Sequence, residues 1–535
     1  MTRAVRRGHR LRRLGRTRAE TWLAWAGATV GVISAVSALT PSIALRSDFV
    51  RGVLPPGVPS AARILAIAFG IALVWLSRSL ALRRRRAWQL AVATVAAISI
   101  AHIAKGLDVE EAIAALALLV ALVRYRRRFD APGDPSASRP LAATVSVFAA
   151  LGALALFLTE RGTLPDPFED TLGAFGILFA FRALRLWLRP FSVHVRQSLE
   201  ERRLARRLVH EYGSDSLAFF ALRRDKSYFF SPSGCAFLAY RVVAGAALVS
   251  GDPVGDEDEL DELLDAFRAF AHARGWRVAI LAAREAERPR YERLGLRAIK
   301  LGDEAVILPS AFSLEGRAIR KVRQSVTRLR RQGYRVRVVR SNEVDAELRR
   351  RLDEVSRAWR GKSAERGFAM AMDDLYAEPD VLFALAERAD GHVGGFLHLV
   401  PTPPTGGYSL STMRRRPGSP NGLMEFLIAE TTAWAARTGS SELSLNFCVF
   451  ADMLRTDGGP VALRAARTTL LGLDRLFQLE RLIEFNRKFF PEWRPRYVCV
   501  ERLTDLPLVG MAYLYVESLL VPPGPWTRRS NAVPH

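Results

Sequence analysis

Cysteine is scarce. Three residues in 535, Cys235, Cys448 and Cys499, lie far apart in sequence. That excludes a disulfide scaffold and a cysteine zinc site. Lysine is nearly missing, six residues among 78 basic ones. This bias reflects genome composition, so arginine abundance alone says little about function. The eight histidines offer no Ser/His/Asp arrangement, and no glycine-rich phosphate loop of the P-loop kind occurs. Acid is in deficit: the formal charge is +24, which points to an anionic partner, nucleic acid or anionic lipid. Hydrophobic residues at 49% exclude wholesale disorder. At this length two to four units are expected.

Charge and apolar residues are unevenly placed. Residues 1–189 hold 26 Lys and Arg against 11 Asp and Glu; the other 346 hold 52 against 43. The first part alternates apolar runs with arginine clusters and reads as a membrane domain over 1–189. A span needs roughly 20 mostly apolar residues. Six candidates are Trp22–Leu45, Ala61–Leu80, Ala87–Ala104, Glu111–Val123, Leu141–Leu158 and Thr171–Leu188. The fourth is short, and Pro41 is the one candidate kink. Eight arginines lie between Arg3 and Arg18, four over Arg83–Arg86, and four more at Arg124 and Arg126–Arg128. The positive-inside bias puts the N-terminus, both clusters and everything after Pro190 in the cytoplasm. No intramembrane acidic pair marks an ion pathway.

Beyond a helical connector over 190–212, the chain reads as two similar α/β halves, 213–310 and 311–522, with a tail over 523–535. The first has strands at Ser227–Phe230, Ala236–Arg241 and Ala244–Ser250, an amphipathic helix at Asp258–Arg274, and a strand at Arg277–Ala282. A short helix follows through Tyr291 to Leu296. Strand, helix, strand, then Tyr-x-x-x-Gly resembles the end of a Gcn5-related acyltransferase domain. The second half has helices at Leu314–Gln332 and Asp345–Trp359, and strands at His392–Val400 and Gly407–Met413. A helix at Gly422–Thr438, a strand at Glu442–Phe447, helical stretches over Pro460–Arg487 and a strand at Tyr497–Arg502 complete it.

Several short stretches then accumulate in one order: Asp225-Lys226-x-Tyr-Phe, Gly251-Asp252-Pro253, Tyr291-x-x-x-Gly295 and Lys300-Leu-Gly-Asp-Glu304-Ala. They continue with Met413-Arg414 eight residues before Gly422, Leu443-Ser-Leu-Asn-Phe447, and Lys488-Phe-x-Pro491-x-Trp493. Together, over residues 205–522, they resemble the aminoacyltransferase domain of bacterial phosphatidylglycerol lysyltransferases, the multiple peptide resistance factor family. The resemblance implies a multi-pass helical membrane domain followed by tandem Gcn5-related acyltransferase-like folds with a tunnel between them. Aminoacyl-tRNA would enter from the cytoplasm and phosphatidylglycerol from the bilayer. Aminoacyl transfer to a glycerol hydroxyl would yield a cationic lipid that repels cationic peptides. With the sequence ending at His535, charged tRNA is expected from a separate synthetase.

That chemistry needs no cofactor and no metal, because the aminoacyl ester is already activated. It needs a base or a ribose relay for the lipid hydroxyl, donors for the oxyanion, carboxylates for the substrate ammonium groups, and cations for phosphates. Arg414, Lys488 and Asp252 are the catalytic candidates; the other readings are a surface charge for Arg414, a snorkelling surface lysine for Lys488 and an ordinary turn aspartate for Asp252. Glu425, Asp303, Glu304, Asn421 and Trp493 are candidates for substrate contact, with a helix-start acid the alternative for Glu425 and a hairpin turn for Asp303 and Glu304. Arg317, Arg320, Lys321, Arg328 and Arg331 make a basic helix face suited to tRNA or lipid phosphate, or to a solvated surface. Ser411 departs from the family, many members of which carry an acid three positions before this arginine; lysine as the substrate is thereby in question. Two other readings compete. Acyl-CoA as donor would need an Arg/Gln-x-x-Gly-x-Gly/Ala loop, which is not apparent. A non-enzymatic flippase or scaffold with a degenerate soluble domain would fit Ser411.

Overall fold

The computed structural model describes residues 2–39, 58–106, 108–131, 138–160, 178–179, 182–188, 197–361, 367–368, 370–449 and 479–518. The chain forms two compact units, one built mainly from residues up to Ser192 and one from Val193 onward.

The first unit is helical: α1 (Thr2–Leu39), α2 (Val58–Leu80), α3 (Arg85–Gly106), α4 (Val109–Arg124) and α5 (Ser138–Glu160). Among the described residues three stretches are long and apolar enough to cross a membrane: Ala19–Leu39, Ala62–Leu80 and Arg85–Ile103. They match the first three expected spans. The fourth lies in α4, whose 16 residues fall short of the roughly 20 required. The fifth lies in α5. Half of the sixth, and Pro41, fall outside the described residues. At Gly31 an added Cβ would sit 2.6 Å from the carbonyl oxygen of Gly70. Small residues thus let α1 and α2 approach backbone to backbone, a recurring device of membrane helices.

The second unit opens with α6 (Leu199–Tyr212). Ser198 Oγ accepts from the Glu201 amide while the Glu201 carboxylate accepts from the Ser198 amide, a reciprocal cap. Then come β1 (Ser227–Phe230), β2 (Ala236–Val243), β3 (Ala246–Ser250), β4 (Val254–Gly255), α7 (Glu257–Ala273), β5 (Arg277–Arg284), α8 (Arg288–Arg293) and β6 (Arg297–Ile307). The second half supplies α9 (Arg320–Arg331), β7 (Arg335–Arg340), α10 (Ala346–Arg360), β8 (Leu382–Glu387), β9 (Val393–Thr402), β10 (Gly407–Arg415), α11 (Leu423–Arg437) and β11 (Leu443–Val449). It ends with α12 (Leu479–Arg487), β12 (Glu492–Val500) and α13 (Leu506–Val516).

The twelve strands among the described residues form one sheet in the order β1-β2-β3-β5-β12-β6-β11-β10-β9-β8-β7, with β4 on β2. Each half repeats one plan. Antiparallel strands lead to a strand, a crossover helix and a parallel partner: β3, α7, β5 in the first, and β10, α11, β11 in the second. The expected architecture, apolar helices and then a duplicated acyltransferase-like α/β fold, is the one found. The last strand in sequence, β12, lies between β5 and β6, so the chain's end completes the sheet of the first half. Two apolar layers cover the sheet. On one face Phe396 and Val400 pack with residues of α6, α10 and α13. On the other Leu397 and Leu399 pack with residues of α9 and α11.

Candidate active site

The two parallel strand pairs behave differently. β3 and β5 stay paired over five residues, Ala246–Ser250 against Arg277–Leu281. β10 and β11 pair only at Tyr408–Leu443 and Ser409–Ser444 and then part. A β-bulge lies on β10 between Leu410 and Thr412, and an irregularity on β11 between Ser444 and Phe447. Asn446, in the second, has φ of +71°. A non-glycine residue in that region is strained, and such strain gathers at functional sites. Its side-chain amide spans the parting, donating to Leu410 O at 3.0 Å and Met370 O at 2.8 Å.

In the first half the corresponding gap is filled. Asp252, just past β3, accepts at Oδ2 from the Arg284 amide and Nε, both at 3.1 Å. Its Oδ1 accepts from the Tyr291 hydroxyl at 2.7 Å. Burial, reinforced by the nearby Asp215 carboxylate, pushes the Asp252 carboxyl up despite Arg284. Both oxygens are engaged inside the protein, so Asp252 braces the gap rather than opening on it.

Arg414 is 4% exposed, and its guanidinium lies 5.9 Å from the ring centre of Trp359 on α10. It pairs across the sheet with Phe396, placing it on the face that carries α10. Ser411, at the bulge, accepts at Oγ from the Met372 amide at 3.0 Å. Opposite Thr412 on β9 stands His398, fully buried, with Nε2 3.0 Å from Leu375 O. A carbonyl only accepts, so Nε2 carries the proton. Burial holds this imidazole down to about 3, and it is neutral at ordinary pH.

Lys488 and Glu425 meet on the opposite face. Lys488 Nζ donates to Glu425 Oε1 at 2.8 Å and lies 5.1 Å from the Phe485 ring centre. Glu425 sits in the first turn of α11, where the helix dipole favours an acid. Trp493, on β12, packs into the apolar layer of this face. Arg328 donates to Asn421 O, joining the basic helix α9 to the loop that starts α11. Arg317, Arg320, Lys321, Arg328 and Arg331 are all exposed.

Asp303 and Glu304 lie inside β6, an eleven-residue strand, not in a hairpin turn. Asp303 pairs with Lys300 at 2.8 Å. Glu304 is 1% exposed. Its Oε1 accepts from Ser216 and Ser444 hydroxyls, each at 2.5 Å, and its Oε2 from Arg496 Nε at 3.0 Å and Nη2 at 2.5 Å. No oxygen is left for a substrate ammonium. Arg496 on β12 also donates from Nη2 to Asp215 Oδ1 at 2.6 Å and from Nη1 to Oδ2 at 3.0 Å. Burial alone would raise the Asp215 carboxyl, but Arg496 holds it below its ordinary value. Ser444 also accepts from the Asn446 amide at 3.0 Å. A continuous chain thus runs Asp215, Arg496, Glu304, Ser444, Asn446 to the Leu410 carbonyl beside the bulge. Arg496, Asp215, Ser444 and Asn446 carry no local sequence signal as a group. They are 281 residues apart at the extreme pair and meet only because β12 inserts beside β6.

Lys226 is another residue that sequence reasoning did not single out for a role. It is fully buried, and Nζ contacts Phe220 O and Ser250 Oγ, both at 2.6 Å. Burial draws its amine down to about 7. It ties the turn Ala218–Leu222 to the end of β3, just ahead of Asp252. Among the described residues no group of three or more His, Cys, Asp or Glu side chains is placed to hold a metal.

The family model described as "Phosphatidylglycerol lysyltransferase, C-terminal" matches residues 206–500. The lysylphosphatidylglycerol biosynthesis bifunctional protein LysX of Rhodococcus jostii (strain RHA1) is 39% identical over 367 residues, which cover 67% of this chain and 33% of that protein. The protein of the same name from Mycobacterium marinum (strain ATCC BAA-535 / M) is 34% identical over 516 residues, 87% of this chain and 46% of the relative. The chain therefore spans a third to about half the length of these relatives. Among solved structures, the C-terminal domain of a putative lysylphosphatidylglycerol synthetase from Agrobacterium fabrum is 26% identical. Its TM-score is 0.52, over 60% of this chain and 96% of that one. L-PGS from Bacillus licheniformis has the same fold, with a TM-score of 0.54 at 23% identity over 59% of this chain and 96% of that one. By sequence and by fold, this chain belongs to the phosphatidylglycerol lysyltransferase C-terminal family.

Proposed function

We propose that the chain is a membrane-bound aminoacyltransferase. It moves an aminoacyl group, lysyl by the names of its relatives, from aminoacyl-tRNA to a glycerol hydroxyl of phosphatidylglycerol. The observation that carries this reading is the parting of β10 and β11. It opens the sheet beside Arg414 in the second half, while Asp252 closes the matching place in the first. Arg414 stands on one face, and Lys488, Glu425 and the basic helix α9 on the other. Two substrates approach such a gap from opposite sides: lipid from the Arg414 face, and tRNA along α9 to Lys488.

In the transfer, the lipid hydroxyl oxygen bonds to the ester carbonyl carbon and the bond to the ribose oxygen breaks. The hydroxyl proton ends on the ribose. Arg414 supplies a fork for the lipid phosphate. Lys488, oriented by Glu425, neutralises charge at the tRNA terminus or the oxyanion. Arg317, Arg320, Lys321, Arg328 and Arg331 line the RNA backbone. With the positive-inside bias the α/β unit faces the cytoplasm, where charged tRNA is found. The product is cationic, lowers the negative charge of the membrane and weakens attraction of cationic peptides.

The test is purified full-length chain in phosphatidylglycerol vesicles with a complete mixture of charged tRNAs, read by lipid mass spectrometry. An aminoacylated phosphatidylglycerol is expected. Vesicles whose lipids stay unmodified, or modified equally well from acyl-CoA without tRNA, would exclude the reading.

A further inference from the structure

Helix α6 carries four arginines in two rows. The inner row is fully engaged. Arg202 reaches Glu378 Oε1 at 3.0 Å, Gln197 Oε1 at 2.7 Å and Leu222 O at 3.2 Å. Arg206 reaches Asp380 Oδ2 at 2.5 Å and Glu378 Oε2 at 3.4 Å. These contacts fix the helix against the segment around Glu378 and Asp380 and neutralise both acids. The outer row is different. Arg203 and Arg207, one helical turn apart, are exposed, and no described carboxylate lies within ion-pair distance of either.

Arg203 and Arg207 border a groove of about 770 Å³, with Arg206, His210 and Leu204 in its wall. Glu200 and Asp380 are its acids. Asp380 is already held by Arg206, and His210 Nε2 lies 3.2 Å from it. That leaves two guanidinium groups against the single carboxylate of Glu200, an excess of one positive charge. One phosphodiester carries one negative charge. Two arginine forks one turn apart on a helix suit its two non-bridging oxygens, and Leu204 offers an apolar strip to a glyceryl chain. α6 also follows the membrane segment directly in sequence, the place where basic clusters meet lipid headgroups.

We propose that this groove binds the phosphodiester of an anionic phospholipid headgroup, at a site that shares no residue with the transfer cleft. The inference rests on the reading that the chain works on phospholipid, and adds to it a second place where the α/β unit grips the same class of lipid.

The experiment uses full-length chain in zwitterionic detergent, without tRNA, titrated with dihexanoyl phosphatidylglycerol by calorimetry. Hydrogen exchange over 199–212 is followed in parallel. Binding is expected to protect that segment and to weaken at least tenfold in the Arg203→Gln/Arg207→Gln variant. Arg350→Gln, which removes an exposed arginine paired with Glu347 on α10, should leave it unchanged. Unchanged affinity in the double variant, or no protection of 199–212 in the wild-type chain, would overturn the site. If inorganic phosphate or glycerol phosphate binds as tightly as the lipid, the headgroup assignment falls in favour of free phosphate. If an oligonucleotide displaces the lipid and binds more tightly, RNA is the ligand and the proposal fails. No aminoacyl donor is present, so Arg414→Ala should bind lipid here normally, which separates this test from that of the transfer reaction.

Discussion

Asn446 and Asp252 do similar work from opposite members of the two parallel strand pairs, Asn446 within β11, the second strand of its pair, and Asp252 just past β3, the first of its own. Each lies where two parallel strands part, and each sends its side chain to the backbone of the opposite strand, Asn446 to Leu410 O and Asp252 to the Arg284 amide. The consequences differ. Asp252 is further covered by Tyr291 and Arg284, so its gap is a sealed joint. Asn446 is a single tie across a gap that Arg414 and Ser411 border. Duplication thus left one half as a frame and the other with the opening.

In the proposed transfer, the lipid side depends on Arg414. Arg414→Ala should lower lipid product by about 100-fold, the scale of losing a charge-assisted bidentate contact to the lipid phosphate. Arg414→Lys keeps the charge but loses the fork, and should recover only part of the rate. Radiolabelled aminoacyl transfer measures both, with membrane insertion checked by flotation.

Lys488 and Glu425 form a half-exposed pair, the lysine side chain 39% accessible. Solvent screening limits such a pair to no more than about 1 kcal/mol of stability. Either Lys488→Ala or Glu425→Ala should therefore leave the melting temperature nearly unchanged while cutting transfer. A double-mutant cycle on the transfer rate should show that the two effects do not add. Additive losses would mean that Glu425 does not act through Lys488.

Arg496 is a stability residue. It balances two buried carboxylates, Asp215 and Glu304. Arg496→Met strands both, and a loss of about 3–5 kcal/mol is expected, seen as a large drop in melting temperature or in folded yield. Adding Asp215→Asn and Glu304→Gln should restore much of it, because the uncompensated charges are then gone.

Lys226 gives a pH signature. Its amine is held down to about 7 from the ordinary 10.5, with burial the main cause. Between those values the unfolded chain binds the proton and the folded chain does not. Stability contributed at this site therefore rises as pH goes from 7 towards 10.5, and is lost as pH falls back through the window. The melting temperature of wild type relative to Lys226→Met should increase from pH 7 to pH 9. A difference that does not move with pH would show that Lys226 does not titrate there.

The basic face of α9 should behave as a phosphate-binding surface. Exchanging Arg320, Lys321 and Arg331 for Gln should weaken tRNA binding and flatten its salt dependence. The expected change is roughly 0.7–0.9 in the log–log slope for each phosphate no longer neutralised. Filter binding across a salt series measures this, and an unaltered slope would return α9 to an ordinary solvated surface.

Much of the chain was legible locally. Apolar runs with arginine flanks gave the first three spanning helices, because length and transfer free energy are properties of a contiguous segment. Leu260, Leu263, Leu264 and Phe267 gave α7, and the ordered motifs gave the family. Legibility failed where strands are buried on both sides or interrupted. β8 is a short apolar run without alternation, β7 alternates Arg and Val over only part of its length, and β6 hides behind Lys300-Leu-Gly-Asp-Glu304, whose charged residues read as a turn. They are strand residues because Arg496 and Lys300 neutralise them there.

The sequence by itself determined which segments are apolar enough for a bilayer, where helices stop, and which residue types the transfer chemistry has at hand. These follow from hydropathy, periodicity and side-chain chemistry within a few turns. Only the tertiary structure decided which of those residues stand together. It put Lys488 beside Glu425 across 63 positions, turned Glu304 from a substrate candidate into the partner of Arg496, and separated Arg414 onto the other face of the sheet. The reason is strand order: β12 returns to the middle of the sheet and β10 parts from β11, and both are set by long-range pairing that no local pattern encodes.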